Sequence, residues 1–345
     1  MTDLATRYLG LALRNPLVAS ASPLSQTAEG VRALADAGVG AVVLPSLFEE
    51  QVRQEQLRDL RVTEPHDESF GEALSYFPSR ADSAGAGAHY LHLVERAVGA
   101  ADALGVPVVA SLNGSSPGGW AGFAASLQDA GAAAIELNVY LVPGDPHVSG
   151  RDVEDWHVEI LRTVRDVVSV PVAVKLSPHF SSVGEMALRL DGAGAAGLVL
   201  FNRFLPPDVD LETVSVHPHV SLSGPEEARL PRTWIAILRS RVRASLAATT
   251  GVATGEDVVK YLLAGADVVM TASALLRHGE AYAATLLAGL EDWMVRKGFA
   301  SVDDVRGLLA VPPGTDATAY ERSAYVSALD GARRTYGDLR MRDDA

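Results

Sequence analysis

Residues 246–276 read LAATTGVATGEDVVKYLLAGADVVMTASALL, and this stretch decides the fold. An apolar run that turns polar, Ser245–Gly251, is followed by Thr254 and, three residues on, Asp257. That spacing marks a helix start in which the two side chains satisfy orphan backbone donors. Residues 255–264 repeat apolar side chains at helical spacing, Gly265 stops the helix, and a second β-branched run, Val268–Ala274, follows. Strand, helix and strand in this order predict two parallel neighbours, because the crossover helix returns the chain to the same end of the sheet.

The unit recurs along the chain. Candidate strands are Pro16–Ser20, Ala41–Ser46, Val106–Asn113, Ala134–Tyr140, Val170–Ser177, Leu198–Arg203, Ser245–Gly251 and Val268–Ala274. Helical patterns lie near 27–37, 87–104, 119–130, 153–168, 182–192, 226–240, 255–264 and 279–296. Eight such units predict an α/β protein, a (β/α)8 TIM barrel with inserted loops on its C-terminal face. Each candidate strand starts apolar and ends small or polar, as expected where strand ends build a site. A doubly wound open sheet is the alternative, but no G-x-G-x-x-G follows the first strand. Ser182 and Glu185 read as a second capping box. Two insertions follow strand ends, Leu47 to about Gly87 and Phe204–Arg229, and both can cover the site. In the second, VDLETVSV and HVSLS together suggest a small hairpin. The barrel is expected over 1–300. A C-terminal extension over 301–345, with two short helical patterns and a charged tail, looks peripheral or oligomer-related.

Composition narrows the function. Of 345 residues 48% are hydrophobic, enough for one large core, and the net charge of −14 argues against a nucleic-acid or anionic-membrane partner. The absence of cysteine excludes disulfides, thiolate metal sites and a cysteine nucleophile or base. The N-terminus lacks a signal-peptide pattern and no apolar stretch reaches 18 residues, so a cytoplasmic, non-membrane protein is expected. No His spacing matches a metal motif, and no G-x-S-x-G appears.

Lys175, in VPVAVKLSP, carries the most information. Strand alternation puts Ala173, Lys175 and Ser177 on one face and Val172, Val174 and Leu176 on the other. If the valines pack against helices, the ammonium points into the barrel and needs a partner. That partner is either a ligand or Glu136 of AIELN, which shares a face with Asn138. Asn113, Asn138 and Asn202 also end strands, and their amides suit a heterocycle with mixed donors and acceptors along its edge. Residues 247–251 and 271–274 put small residues and hydroxyls where the last two loops meet helix starts, a recurrent phosphate site in barrels. A structural turn is the alternative there. His179, just after the Lys175 strand, is either a titrating group at the mouth or a solvated loop residue.

The order RNPLVASAS, ASLNG, AIELN, VAVKLSP, LVLFN and LAATTGVATGEDVVKYLLAGADVVMTASALL resembles the FMN-dependent dihydroorotate dehydrogenases over roughly residues 5–310, and the soluble class 1 enzymes in particular. The resemblance implies FMN as cofactor, and oxidation of dihydroorotate to orotate in pyrimidine biosynthesis by hydride transfer to flavin N5. It implies that Lys175 contacts the flavin near N1 and O2, with Asn138 and Asn202 between flavin and substrate. Ser20, Ala21 and Ser46 would line the isoalloxazine, and Gly251, Ala272 and Ser273 would bind the phosphate through backbone donors. Thr250 replaces the first glycine of the family's Gly-Gly pair and Ala272 replaces another, which is tolerable where the dihedrals are ordinary. A homodimer is in keeping with barrels of this kind.

The substrate end departs from the family. Leu141 occupies the position of the catalytic Cys or Ser and cannot accept a proton. Residues 72–78, EALSYFP, replace the substrate loop, and Arg203 replaces the Ser after Asn202. Tyr140 is the nearest replacement acid or base, although a phenol of pKa about 10 needs help, for which Lys175 is placed. Arg203 suggests a small anionic substrate, since a guanidinium can clamp a carboxylate. Three other readings stay open: an FMN oxidoreductase of another anionic substrate, a flavin-free lyase using Lys175 as a Schiff base, and a catalytically silent binding barrel.

Overall fold

An N-terminal antiparallel hairpin, β1 (Thr6–Tyr8) with β2 (Leu11–Leu13), precedes the first barrel strand, β3 (Leu17–Ala19). The computed structural model describes residues 2–51, 86–114, 120–141, 144–204, 207–217 and 220–336. Helix α1 (Ala28–Asp36) leads to β4 (Ala41–Phe48), and α2 (Ala86–Asp102) to β5 (Val108–Asn113). The next units are α3 (Trp120–Asp129) with β6 (Ala134–Asn138), α4 (Gly150–Arg165) with β7 (Val172–Leu176), and α5 (Val183–Gly192) with β8 (Gly197–Leu200). A small hairpin, β9 (Asp208–Asp210) and β10 (Ser215–His217), precedes α6 (Arg229–Leu238) and β11 (Ser245–Ala248). The chain ends with α7 (Gly255–Ala264), β12 (Val268–Thr271), α8 (Ser273–His278), α9 (Tyr282–Lys297), α10 (Val302–Val305) and α11 (Ala317–Tyr336).

Strands β3 to β8, β11 and β12 close into one parallel barrel, the predicted (β/α)8 architecture. All eight candidate strands fall on barrel strands. Pro45, which has no N–H to donate, sits where β4 shifts register against β5 between Val43 and Ser46. Alternation sorts the side chains as expected. Val172, Val174 and Leu176 join the cluster between sheet and helices, while Ala173 joins the smaller cluster with Val109, Ala134, Val199 and Ala247.

That smaller cluster explains the hairpin, which short-range periodicity does not reveal. Its alanines leave the barrel under-filled, and Tyr8, Leu9 and Leu13 pack against them. Gly197 is small for the same reason: a Cβ there would lie 2.4 Å from the Leu9 side chain. The second insertion also differs in detail. The hairpin runs from Asp208 to His217, VDLETVSV with one residue added at each end, and residues 220–223 instead line the cavity at the strand ends. Residues 301–311 are tied to the barrel helices, with Gly307 and Leu309 donating to Leu262 and Leu263 and Val311 donating to Ala236. The second of the predicted C-terminal helices is the twenty-residue α11, largely exposed.

Helix starts follow the sequence signals. Thr254 and Asp257 form a full reciprocal box, whereas at Ser182 only the hydroxyl arm forms, accepting from Glu185 N. Among the described residues no helix is long and apolar enough to cross a membrane.

Burial alone would raise the pKa of the Asp257 carboxyl. Hydrogen bonds from Ala253 N, both donors of Thr254, and Lys260 outweigh it and hold the group below the ordinary carboxylate range. A lowered folded pKa means stability that is present above the unfolded value and lost as pH falls through the folded one. Asp257→Asn should therefore cost about 1–2 kcal/mol in urea unfolding at pH 7. The gap to wild type should stay constant down to about pH 5 and narrow below about pH 4. A gap that does not change with pH would remove the charge from the explanation.

Candidate active site

The polar ends of the barrel strands meet around a cavity of about 180 Å³. It is lined by eight of the ten residues expected to hold the cofactor: Ser20, Ala21, Lys175, Asn202, Thr250, Gly251, Ala272 and Ser273. The other two border it differently. Ser46 Oγ lies 2.7 Å from Ser111 Oγ within the barrel, and Asn138 Oδ1 accepts a 2.9 Å hydrogen bond from Asn202 Nδ2. Parallel register puts Asn113, Asn138 and Lys175 side by side on β5, β6 and β7, so the amides and the amine form one row.

Below this row sits the counter-charge. Lys175 Nζ lies 3.6 Å from Glu136 Oε1, with 11% and 1% of the two side chains exposed. Among the described residues neither Glu136 oxygen has a hydrogen-bond partner. The Glu136 pairing read for Lys175 is present, and the same side chain lines the cavity. The charge of Glu136 reaches down to Tyr8, whose phenol is pushed well above its ordinary pKa by burial first, then by Glu136 and Asp267.

At the other end the last two strands build a knot of donors. Ser223 and Ser273 hydroxyls lie 2.9 Å apart, Ser223 N donates to Ser273 Oγ at 3.1 Å, and Gly251 N donates to Ser223 Oγ at 3.2 Å. Arg277 clamps the loop by donating to the carbonyls of Leu222 and Ser223. Sequence reading missed Ser223 and Arg277, because both act through an inserted loop whose return over the barrel has no local signature.

Backbone geometry at this end corrects one expectation and supports another. Ala272 has φ −121, where no glycine is needed. Thr250 has φ +80, in the left-handed region that a β-branched residue disfavours. Tyr261 OH donates to the carbonyls of Thr249 and Thr250, and Thr250 Oγ1 donates to Phe201 O, which together fix the turn. Gly251 follows at φ +72, and a Cβ on it would lie 2.7 Å from Gly224 O and 2.8 Å from the Ala228 Cβ.

The residues at the substrate end are arranged less simply. Arg203 lines the cavity, but its Nε donates to Glu227 Oε2 at 3.0 Å and its Nη1 to Ser221 O. Leu141 turns away into a second cavity of about 390 Å³, shared with Ser177, His179 and Phe204. Tyr140 is half-buried, its N–H donating to Asn138 O, and lines neither cavity. The segment 72–78 lies outside the described residues. No group of three His, Asp or Glu residues suited to a metal ion occurs among the described residues.

Comparison with known proteins gives this arrangement a lineage. A dihydroorotate dehydrogenase family model matches residues 3–294. A dihydroorotate dehydrogenase B (NAD+) catalytic subunit from Methanothermobacter thermautotrophicus is 27% identical over 324 residues, covering 88% of this chain and 98% of that protein. The corresponding subunit from Thermoplasma acidophilum is 25% identical over 316 residues, 89% of this chain and 99% of the other. A protein named putative dihydroorotate dehydrogenase A (fumarate), from Aeropyrum pernix, is 29% identical over 210 residues, 59% and 67% of the two chains. With its barrel, its strand-end residues and a family match spanning most of its length, the chain belongs to the dihydroorotate dehydrogenase family of oxidoreductases.

Proposed function

We propose that the chain is an FMN-dependent dehydrogenase that oxidises a small planar substrate in the manner of dihydroorotate oxidation. The observation that supports this best is the pairing of two ends in one cavity: a cation with amides at one, and hydroxyl and backbone donors around Gly251 at the other. An ammonium suits the electron-rich edge of a flavin, and the donor knot suits a phosphate. The missing Cβ of Gly251 keeps that approach open between Gly224 and Ala228. When bound, FMN supplies a hydride acceptor at N5.

The chain's own residues supply positioning and electrostatics. Lys175 would hold a positive charge against the ring edge, in a low-dielectric interior where such a charge acts strongly. Ser20 and Ala21 would bound the ring, Ser223 and Ser273 would donate to the phosphate, and Asn138 and Asn202 would orient the substrate. Asn202 Nδ2 gives one of its two N–H groups to Asn138 Oδ1, which orients both amides, so that the second N–H of Asn202 and the amide N–H groups of Asn138 would meet a substrate oxygen.

A substrate other than dihydroorotate is a second reading, favoured by Leu141. It stands where the family has its proton acceptor, and it lines an apolar-walled cavity instead. Tyr140 is the nearest acid or base in sequence, and Tyr140→Phe should slow anaerobic flavin reduction by the true substrate if it serves there.

Two experiments test the proposal. Purified protein should be yellow, with flavin bands at roughly 370 and 450 nm. Gly251→Val should lower the bound FMN at least tenfold, because a side chain at this positive φ presses on Gly224 O and Ala228 and displaces the loop that carries the donors. A colourless protein that cannot be reconstituted with FMN overturns the reading.

The second experiment separates charge from structure. Lys175→Met should cut flavin reduction by about 100-fold or more. It should also cost about 3–5 kcal/mol, because it strands the Glu136 carboxylate in the barrel. Adding Glu136→Gln should recover most of that stability and little of the rate. Recovery of both together would make Lys175 a structural residue only.

A further inference from the structure

Residues 221–223 form a strap along the wall of the candidate active site, and little packing holds them there. Val220 beside the strap is 70% exposed and Leu222 within it 37%, so apolar contact does not fix its place. Two arginines do so through three successive carbonyls. Arg203, just past β8, donates to Ser221 O. Arg277, in α8, donates to Leu222 O at 3.1 Å and to Ser223 O at 3.0 Å.

A peptide group is planar, so fixing its carbonyl also aims its N–H. The peptide that carries Leu222 O carries Ser223 N, which donates to Ser273 Oγ at 3.1 Å. The next peptide, with Ser223 O, carries Gly224 N, which donates to Glu227 Oε1 at 2.9 Å. Arg277 therefore holds both peptides that flank the Ser223 side chain. That side chain is buried, and its hydroxyl accepts from Gly251 N at 3.2 Å and lies 2.9 Å from Ser273 Oγ. The donors at this end of the cavity thus depend on where the strap places one serine. Arg277 is itself exposed and does not line the cavity, although Leu276 before it does.

We propose that Arg277 is a positioning residue for a phosphate-terminated ligand, holding the strap so that Ser223, Ser273 and Gly251 present their donors together. That the ligand is FMN rests on the function proposed above, whereas the hold of Arg277 on the strap does not. A lysine is no substitute. Its ammonium carries the same charge, but only the planar guanidinium fork sets two donors on two successive carbonyls at once. The effect is confined to one end of the cavity. The row of Asn113, Asn138 and Lys175 is held by the register of β5, β6 and β7 and does not depend on the strap.

Riboflavin has the ring and ribityl chain of FMN without the phosphate, and so isolates this end. With the full-length protein freed of flavin, fluorescence titration should show Arg277→Met weakening FMN about tenfold or more and riboflavin less than about twofold. Arg277→Lys should lie nearer to the methionine variant than to wild type. Equal losses for the two flavins, no loss for FMN, or an undiminished FMN preference in the lysine variant would each overturn the proposal. Amide exchange in the flavin-free protein reads the hold by itself. The Ser223 and Gly251 N–H groups should exchange about tenfold faster or more in Arg277→Met, and unchanged exchange also overturns the proposal. Wild-type protein that takes up neither flavin sinks the dehydrogenase reading. Inorganic phosphate then probes the same donors, with binding expected in wild type and lost in Arg277→Met; no binding to wild type overturns the phosphate assignment as well.

Discussion

Lys175 and Glu136 face each other across 3.6 Å inside a barrel whose other interior residues are mostly Ala, Val, Met and Tyr. Two charges withdrawn from water cost several kcal/mol each, and their attraction offsets this only if every remaining polar valence is satisfied. Here neither Glu136 oxygen accepts a hydrogen bond from the described residues. The pair is therefore poor as a stabilising device and makes more sense as a means of keeping an ammonium at the strand ends. The surroundings follow from that constraint. The barrel floor is plugged by Tyr8, Leu9 and Leu13, the layer above is polar, and the amide row lies level with Lys175.

Much of the fold was legible because each unit states its own period. Val172 to Leu176 alternates cleanly enough to assign every side chain to core or interior, and Thr254 with Asp257 fixes where α7 begins. The N-terminal hairpin was not legible for a physical reason. Its strands are three residues long, too short for a period, and what holds them is the space left by Ala134, Ala173, Gly197 and Ala247 far along the chain. No local window contains that space.

The site divides along the same line. Lys175, Asn138 and Asn202 were readable because a strand end and a period of two locate a side chain without knowledge of its neighbours. Ser223 and Arg277 were not, since their role depends on residues 220–224 folding back over β12. His157 falls within the helical pattern near 153–168, and only packing reveals it as a buried ring whose Nδ1 lies 2.7 Å from the carbonyl of Val153. Thr250 is the opposite case: the sequence marked the substitution, but the positive φ depends on how Tyr261 and Phe201 hold the turn.

The departures from the family pattern converge on the charge of the substrate. Arg203 suggested a carboxylate clamp, yet its guanidinium already meets Glu227 and the carbonyl of Ser221. A substrate carboxylate would have to displace Glu227, exchanging one ion pair for another with little net gain in a half-exposed setting. Lys175 is similarly matched by Glu136. The larger cavity beyond Leu141 is walled by Val153, Phe180 and Phe204, and among the described residues no Lys or Arg lines it. On the function proposed above, Leu141 stands where the family has its proton acceptor, and both cations at this end, Arg203 and Lys175, already meet a carboxylate. A chain altered in this way is better suited to a different molecule than to a weakened version of the same reaction.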